Sequence, residues 1–270
     1  MKVSVIVSTY NSEEWLAKVL EGYCSQTETD FELVVADDGS TEKTKALVNS
    51  YASRFVHPIV HVWQEDNGFQ KCKILNKAIL EAHSDYLLFT DGDCIPRKDF
   101  IAQHLQHKAE GCFLSGGYFK LPMAVSKLIT AENIRNQESF SIFWLLQNGL
   151  KVNFKLSKLT KISFFARFMN WITPTKKTFN GHNTSCFKKD ILAVNGFNEA
   201  MKYGGLDREL GERLNHYGIV AKQIRYAAIC LHLDHSRAYF SETERKKNTE
   251  IRNYNKKNKV IRIANGIQKL

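Results

Sequence analysis

Two carboxylates separated by one glycine, Asp91-Gly92-Asp93, follow directly on the apolar run Tyr86-Leu87-Leu88-Phe89-Thr90. Asp-x-Asp sets two hard oxygen donors close together, the donor type that magnesium and manganese prefer, and Gly92 lets the backbone turn tightly between them. A divalent-metal site is one reading. A plain polar turn is the other, because Asp-Gly is common in turns. Similar groups close earlier apolar runs: Thr9-Tyr10-Asn11 after residues 3–8, Asp37-Asp38 after 31–36, and Glu65-Asp66-Asn67-Gly68 after 59–63. Later, Tyr203-Gly204-Gly205-Leu206-Asp207 sets an acid behind two glycines that permit close approach of a substrate, and His232 and His235 follow another apolar run.

These groups need elements to hold them. Residues 86–89 are too continuously apolar for a half-exposed strand and too short for a helix, so they read as a strand buried on both faces. Strands are likewise expected at 3–8, 31–36 and 59–63, with helices at 12–25, 42–54 and 73–82 between them. Ser12 with Glu13 and Glu14 suits a helix start. Strand-helix alternation of this kind predicts an α/β fold with a mostly parallel central sheet flanked by helices. The polar groups then share one rim, where open α/β sheets bind ligands. Further on, strand pieces are expected around 113–118, a helix at 188–194, another opening at the acidic cluster and running to Tyr217, and a strand around 220–226.

The composition limits the alternatives. The chain has 270 residues, 43% of them hydrophobic, enough for a sizeable core. No run approaches the roughly 20 apolar residues that span a bilayer, and the first residues read as a strand, not a signal peptide. The six cysteines form no Cys-x-x-Cys pair, which suits reduced thiols in a cytoplasmic protein. A formal charge of +10 admits nucleic acid, anionic membrane or phosphorylated substrates as partners. The charge concentrates outside the acidic rim: residues 151–177 interleave Lys151, Lys155, Lys158, Lys161, Arg167, Lys176 and Lys177 with Phe154, Phe164, Phe165, Phe168 and Trp171. Such a stretch fits an amphipathic element on an anionic membrane surface, a loop gripping a phosphorylated acceptor, or a helical lid with aromatics inward and lysines outward. No recognition-helix or zinc-finger pattern supports nucleic acid.

Four motifs in this order, Val-Ser-Val-Ile-Val-Ser-Thr-Tyr-Asn at 3–11, Val-Val-Ala-Asp-Asp-Gly-Ser-Thr at 34–41, Asp-Gly-Asp at 91–93, and Asn-Gly-Phe-Asn-Glu with Tyr-Gly-Gly-Leu-Asp-Arg-Glu-Leu within 195–210, resemble the inverting family-2 glycosyltransferases of GT-A fold. The likeness is to the bacterial capsule and lipopolysaccharide sugar transferases and to chondroitin-polymerase-type catalytic domains. It covers about residues 1–118 and 178–236 and leaves 123–177 outside.

The resemblance implies a metal-dependent transfer of a hexosyl or N-acetylhexosaminyl group from a nucleoside-diphosphate sugar, UDP-linked, to a glycan or lipid-linked hydroxyl in surface polysaccharide synthesis. It places the enzyme in the cytoplasm or peripherally on the inner membrane face. Asp91 and Asp93 would anchor manganese or magnesium, with His235 or His232 as a further ligand. Thr9, Tyr10, Asn11 and Asp38 would meet base and ribose, with Gly68, Lys73, Asp91 and Gly92 completing the nucleotide side. Gly181, His182, Asn183, Gly205 and Leu206 would meet sugar or acceptor, and Asp207 would be the base. Relatives carry Glu-Asp where this chain has Leu206-Asp207, which puts the acceptor contacts of that glutamate in doubt.

The expected organisation is a nucleotide-sugar half at 1–118, a basic aromatic insert at 119–177, an acceptor and catalytic half at 178–240, and a basic tail at 241–270. The competing readings are a catalytically inactive relative serving as a partner subunit or as a nucleotide-sugar-binding protein, and a nucleotidyltransferase, which would favour a glycine-rich, lysine-bearing loop after the first strand that this sequence lacks.

Overall fold

The computed structural model describes residues 1–160, 162–235 and 241–269, so Lys161 and the expected segments' residues 236–240 and 270 lie outside the described residues. In its first part, strands and helices alternate: β1 (Val3–Thr9), α1 (Glu13–Cys24), β2 (Phe31–Asp37), α2 (Glu42–Tyr51), β3 (Val60–Trp63), α3 (Lys71–Glu81) and β4 (Tyr86–Asp91). β1 and β2 are buried along their whole length. Val3, Val5 and Val7 enter one core with Leu16 and Leu20 of α1, while Ile6 enters a second with Ile74 and Ile79 of α3. That two-sided burial is why these strands lack polar alternation.

The middle of the chain adds β5 (Cys94–Pro96), α4 (Phe100–His107), β6 (Cys112–Ser115) and β7 (Gly117–Lys120). The strand pieces expected at 113–118 are thus two strands in different sheets, and α4 lies in a stretch to which sequence reading assigned nothing. Short helices α5 (Met123–Leu128), α6 (Ala131–Arg135) and α7 (Ile142–Gln147) follow, then α8 (Ser163–Ile172). Ile134, Phe140, Leu145, Leu156 and Leu159 bury against the first core, so much of this insert is part of the body. α8 does not form a lid with aromatics inward. Its buried contacts are Ala166 and Met169, against Tyr226, while Phe164 and Trp171 stand 81% and 82% exposed.

The last part comprises β8 (Thr184–Phe187), α9 (Lys188–Ala193), α10 (Leu206–Tyr217), β9 (Val220–Gln223), β10 (Ile229–His232) and α11 (Glu242–Lys257). The large sheet has the order β3-β2-β1-β4-β8-β6-β9. Pairing is parallel among β1 to β4 and between β6 and β9, and antiparallel where β8 meets β4 and β6. The small sheet has the order β5-β10-β7. α11 is not a loose tail: Arg252 pairs with Glu212 of α10 at 2.5 Å, and Asn255 reaches Glu209 at 2.7 Å.

Candidate active site

Register builds the rim. Thr9 stands opposite Asp37 and Ser8 opposite Asp91, so the ends of β1, β2 and β4 finish level with one another. The chain then turns at Gly92, whose N–H donates to Ser8 O at 2.8 Å; a Cβ there would come 3.1 Å from that same oxygen. In the small sheet His232 pairs with Cys94, and Leu233 N–H donates to Asp93 O at 2.9 Å. A strand about 140 residues later is thereby laid beside the Asp-Gly-Asp turn.

The two aspartates face different partners. Asp91 Oδ1 accepts from Lys71 Nζ at 2.6 Å and from Ser8 Oγ at 2.8 Å. The Lys71 ammonium holds the Asp91 carboxyl well below the usual range against the cost of burial, and Asp91 in turn pushes the Lys71 pKa up. Asp93 Oδ2 lies 3.0 Å from His235 Nε2 and 3.9 Å from His232 Nε2, and the two imidazoles stack with 14° between their planes. His232 Nδ1 lies 2.8 Å from Leu233 O, a carbonyl that can only accept, so in the neutral ring the proton sits on Nδ1 and the Nε2 lone pair turns toward Asp93. One carboxylate and two imidazoles fit manganese, and magnesium less closely. Cys94 is also near, its thiol donating to Asp93 Oδ1 at 3.3 Å, but manganese and magnesium favour oxygen and nitrogen donors over sulfur.

Across the cleft, α10 supplies Asp207. Gly204 and Gly205 both have positive φ, 108° and 80°, a turn that L side chains resist. Leu206, Leu210 and Leu214 then bury their side chains four residues apart, which leaves Asp207 on the cleft side. Gly181 lies so close that a Cβ would meet Asp207 Oδ1 at 2.7 Å. Withdrawal from water pushes the Asp207 pKa up to about 6, with Asp91 adding to the rise and Lys71 and the Gly181 N–H opposing it. Its Oδ1 meets no hydrogen-bond donor among the described residues. Asp207 and His232 line a cleft of about 530 Å³, also lined by Tyr118, His182 and Tyr203. His182 packs edge-on to Tyr118, with ring centres 4.6 Å apart, and burial lowers its pKa to about 4.

The other expected residues divide. Thr9 and Tyr10 sit on the rim, with Tyr10 Oη donating to Asp66 at 2.8 Å. Asn11 joins turns: Thr41 N–H donates to its Oδ1, and its own N–H donates to Ser40 Oγ. Asp38 takes one donor on each oxygen, from Gln64 Nε2 and Gln70 N–H, which leaves each a second lone pair. Its neighbour Asp37 is wholly buried and bonds His61 and the Ser40 N–H. Gly68 has φ 74° beside Asp66.

Three expectations need correction. Lys73 is exposed; the rim lysine is Lys71. Sequence reading started this helix two residues late, and two residues rotate a side chain about 200° around the axis. Asn183 is 0% exposed, its amide donating to Gly117 O and Ala228 O and accepting from buried His104, so its side chain is structural. Leu206 is 5% exposed in the core, not in the cleft. Sequence reasoning missed Lys71 and also Arg208, Arg245 and Arg252, which line the cleft from α10 and α11.

A large sheet with carboxylates along its rim, completed by a small sheet that carries a histidine, defines a GT-A type domain. The sequence model described as "Glycosyl transferase family 2" matches residues 4–171, more than half of the chain, and the chain belongs to that family. The match runs through most of 123–177, so that segment is not outside the family. A second model, "N-terminal domain of galactosyltransferase", matches residues 160–236.

Among curated relatives, validoxylamine A glucosyltransferase of Streptomyces hygroscopicus subsp. limoneus is 30% identical over 234 residues, covering 80% of this chain and 48% of that protein. Chondroitin synthase of Escherichia coli is 28% identical over 234 residues, covering 83% and 34%. The chain thus spans half or less of the length of these two relatives. Among solved structures, S. aureus TarS 1–349 in complex with UDP-GlcNAc superposes with a TM-score of 0.62 at 19% identity, covering 93% of this chain and 65% of that one. The mannosyltransferase PcManGT from Pyrobaculum calidifontis in complex with GDP-Man and Mn2+ gives 0.59 at 19%, covering 88% and 58%. At such identities the structures speak to the fold.

Proposed function

We propose that this protein is an inverting, metal-dependent glycosyltransferase that moves a sugar from a UDP-sugar to a glycan hydroxyl. One observation carries the reading: a carboxylate of raised pKa, Asp207, shares a cleft of about 530 Å³ with His232 of the Asp93-His232-His235 group. The TarS complex with UDP-GlcNAc supports the donor class, and the name of the glucosyltransferase supports sugar transfer.

Asp93, His235 and His232 would hold manganese or magnesium, which when bound neutralises charge growing on the leaving diphosphate. Lys71 adds a fixed cation at the same rim, and Thr9, Tyr10 and Asp38 offer polar contacts to base and ribose. Asp207 accepts the proton of the acceptor hydroxyl as its oxygen bonds to the anomeric carbon, while the bond from that carbon to the diphosphate oxygen breaks with its electron pair. Attack opposite the leaving group inverts the anomeric centre. The segment 1–118 then serves the donor and 178–240 the acceptor. Incubation with a panel of UDP- and GDP-sugars, with Mn2+ or with EDTA, tests the reading: metal-dependent release of UDP is expected, and preference for a GDP-sugar would overturn the donor assignment.

A membrane-held, lipid-linked acceptor on the cytoplasmic face is the finer reading. No helix among the described residues is long and apolar enough to cross a membrane. The exposed Phe154, Phe164 and Trp171, set among Lys151, Lys155, Arg167, Lys176 and Lys177, suit an anionic lipid surface instead. Cosedimentation with vesicles containing phosphatidylglycerol, lost with neutral vesicles and weakened in Phe164→Ser/Trp171→Ser, is expected. Equal binding to both vesicle types would contradict it.

A further inference from the structure

Next to the cleft, and sharing Tyr118, Asn180, Arg208 and Arg252 with it, lies a second cavity of about 340 Å³. Its walls carry Lys158, Lys176, Arg208, Arg225 and Arg252 against a single acid, Glu212. Those cations come from five separate parts of the chain: the insert, the segment after α8, α10, the loop after β9, and α11. Glu212 is already engaged, by Arg252 at 2.5 Å and Lys256 at 3.1 Å. Lys158 Nζ lies 3.4 Å from Tyr118 O and over the Tyr118 ring, and no second acid among the described lining residues offsets the remaining cations.

Arg225 and Lys158 are the informative pair. Arg225 Nη2 donates to Lys176 O at 3.0 Å, but its buried Nε–H meets no acceptor among the described residues. A buried donor left unmet is costly, and a small turn of the guanidinium toward an oxygen brought into the cavity would relieve it. Burial lowers the pKa of Lys158, and the nearby Arg225 charge lowers it further, a strain that an anion between them would also relieve.

None of Asp93, His232 and His235 borders this cavity, whereas His232 borders the cleft, so the donor's diphosphate belongs to the cleft. Access from the cleft runs past Arg208, the residue after Asp207. Resting on the glycosyltransferase reading, we propose that this cavity binds an oxyanion, phosphate or carboxylate, carried by the acceptor, so that the enzyme glycosylates an anionic chain. The size suits one small anionic residue.

Titration of the whole protein in EDTA with glucose 1-phosphate, glucuronate and glucose, followed by ligand NMR, tests this. At least one anion is expected to bind at least tenfold more tightly than glucose, and the tighter of the two identifies the oxyanion. Arg225→Gln and Lys158→Gln should each weaken it about tenfold or more; if Arg225→Gln does not fold, Lys158→Gln with Lys176→Gln serves. No preference over glucose, undiminished binding in the glutamine variants, or loss through Asp93→Ala instead would overturn the inference. Thermal stabilisation of the same proteins, in buffer free of EDTA, by a panel of UDP- and GDP-sugars with Mn2+ separates the two readings. Donor binding without anion preference removes only this inference, whereas no stabilisation by any nucleotide sugar removes the transferase reading and with it the assignment to an acceptor.

Discussion

Asp93 Oδ2 and His235 Nε2 lie 3.0 Å apart although the residues are far separated in sequence, because β10 is paired to β5 immediately after the Asp-Gly-Asp turn. Removing either side chain takes away one anchor of the proposed metal. Asp93→Ala and His235→Ala are each expected to weaken Mn2+ binding about tenfold to a hundredfold, the scale seen when support of a metal site is lost. Calorimetric titration with Mn2+ checks this, and unchanged affinity in both variants would remove Asp93 and His235 from the site.

Asp207 should control the acid limb of the rate. With its pKa near 6, the carboxylate is protonated below that value and cannot accept the acceptor's proton, so activity falls as pH drops through about 6, or lower once a bound cation draws the pKa down. Asp207→Asn is expected to lower turnover about 10²- to 10⁴-fold and to leave donor-induced thermal stabilisation in place.

The same raised pKa has a stability consequence. A carboxyl whose folded pKa exceeds its unfolded value of 3.8 destabilises the fold where it is ionised, so the penalty grows as pH rises from about 4 to 6 and is complete above that window. Asp207→Asn is therefore expected to raise Tm at pH 7.5 and to leave it nearly unchanged at pH 4. Scanning calorimetry at the two values reads the difference.

Gly181→Ala places a Cβ 2.7 Å from Asp207 Oδ1. The carboxylate must move, and a base displaced by even an ångström loses much of its effect. A loss of tenfold or more in kcat is expected in a steady-state assay, with donor binding intact.

Placing at 206 the acid that the family resemblance implies should fail. Leu206 packs in the core with Leu210 and Leu214, and Leu206→Glu would bury an unpaired carboxylate there at a cost of about 2–4 kcal/mol. Tm is expected to fall by several degrees, with no gain in turnover.

These residues also show what the sequence could reveal. The rim was legible because each strand of the first half ends in a polar cluster, and parallel register brings those ends level; Asp91 and Asp93 could be found that way, whereas Asp207, in the first turn of α10, was pointed to by the family resemblance. Lys71 was not, because a helix start misplaced by two residues turns the wrong lysine toward the site. Asn183 looked like a ligand-facing residue beside His182, but it lies immediately before β8, where its amide pins the Gly117 and Ala228 backbones. The second cavity was invisible as a pattern, since its cations are scattered from Lys158 to Arg252 and meet only when α11 docks on α10.

The central claim is a metal-dependent transfer whose base is Asp207, and the release rate of UDP from UDP-sugars in Mn2+, compared between the native protein and Asp207→Asn, tests it most directly. The account predicts release that EDTA abolishes and that falls at least a hundredfold in the variant. Release indifferent to EDTA, or equal in the two proteins, would contradict it.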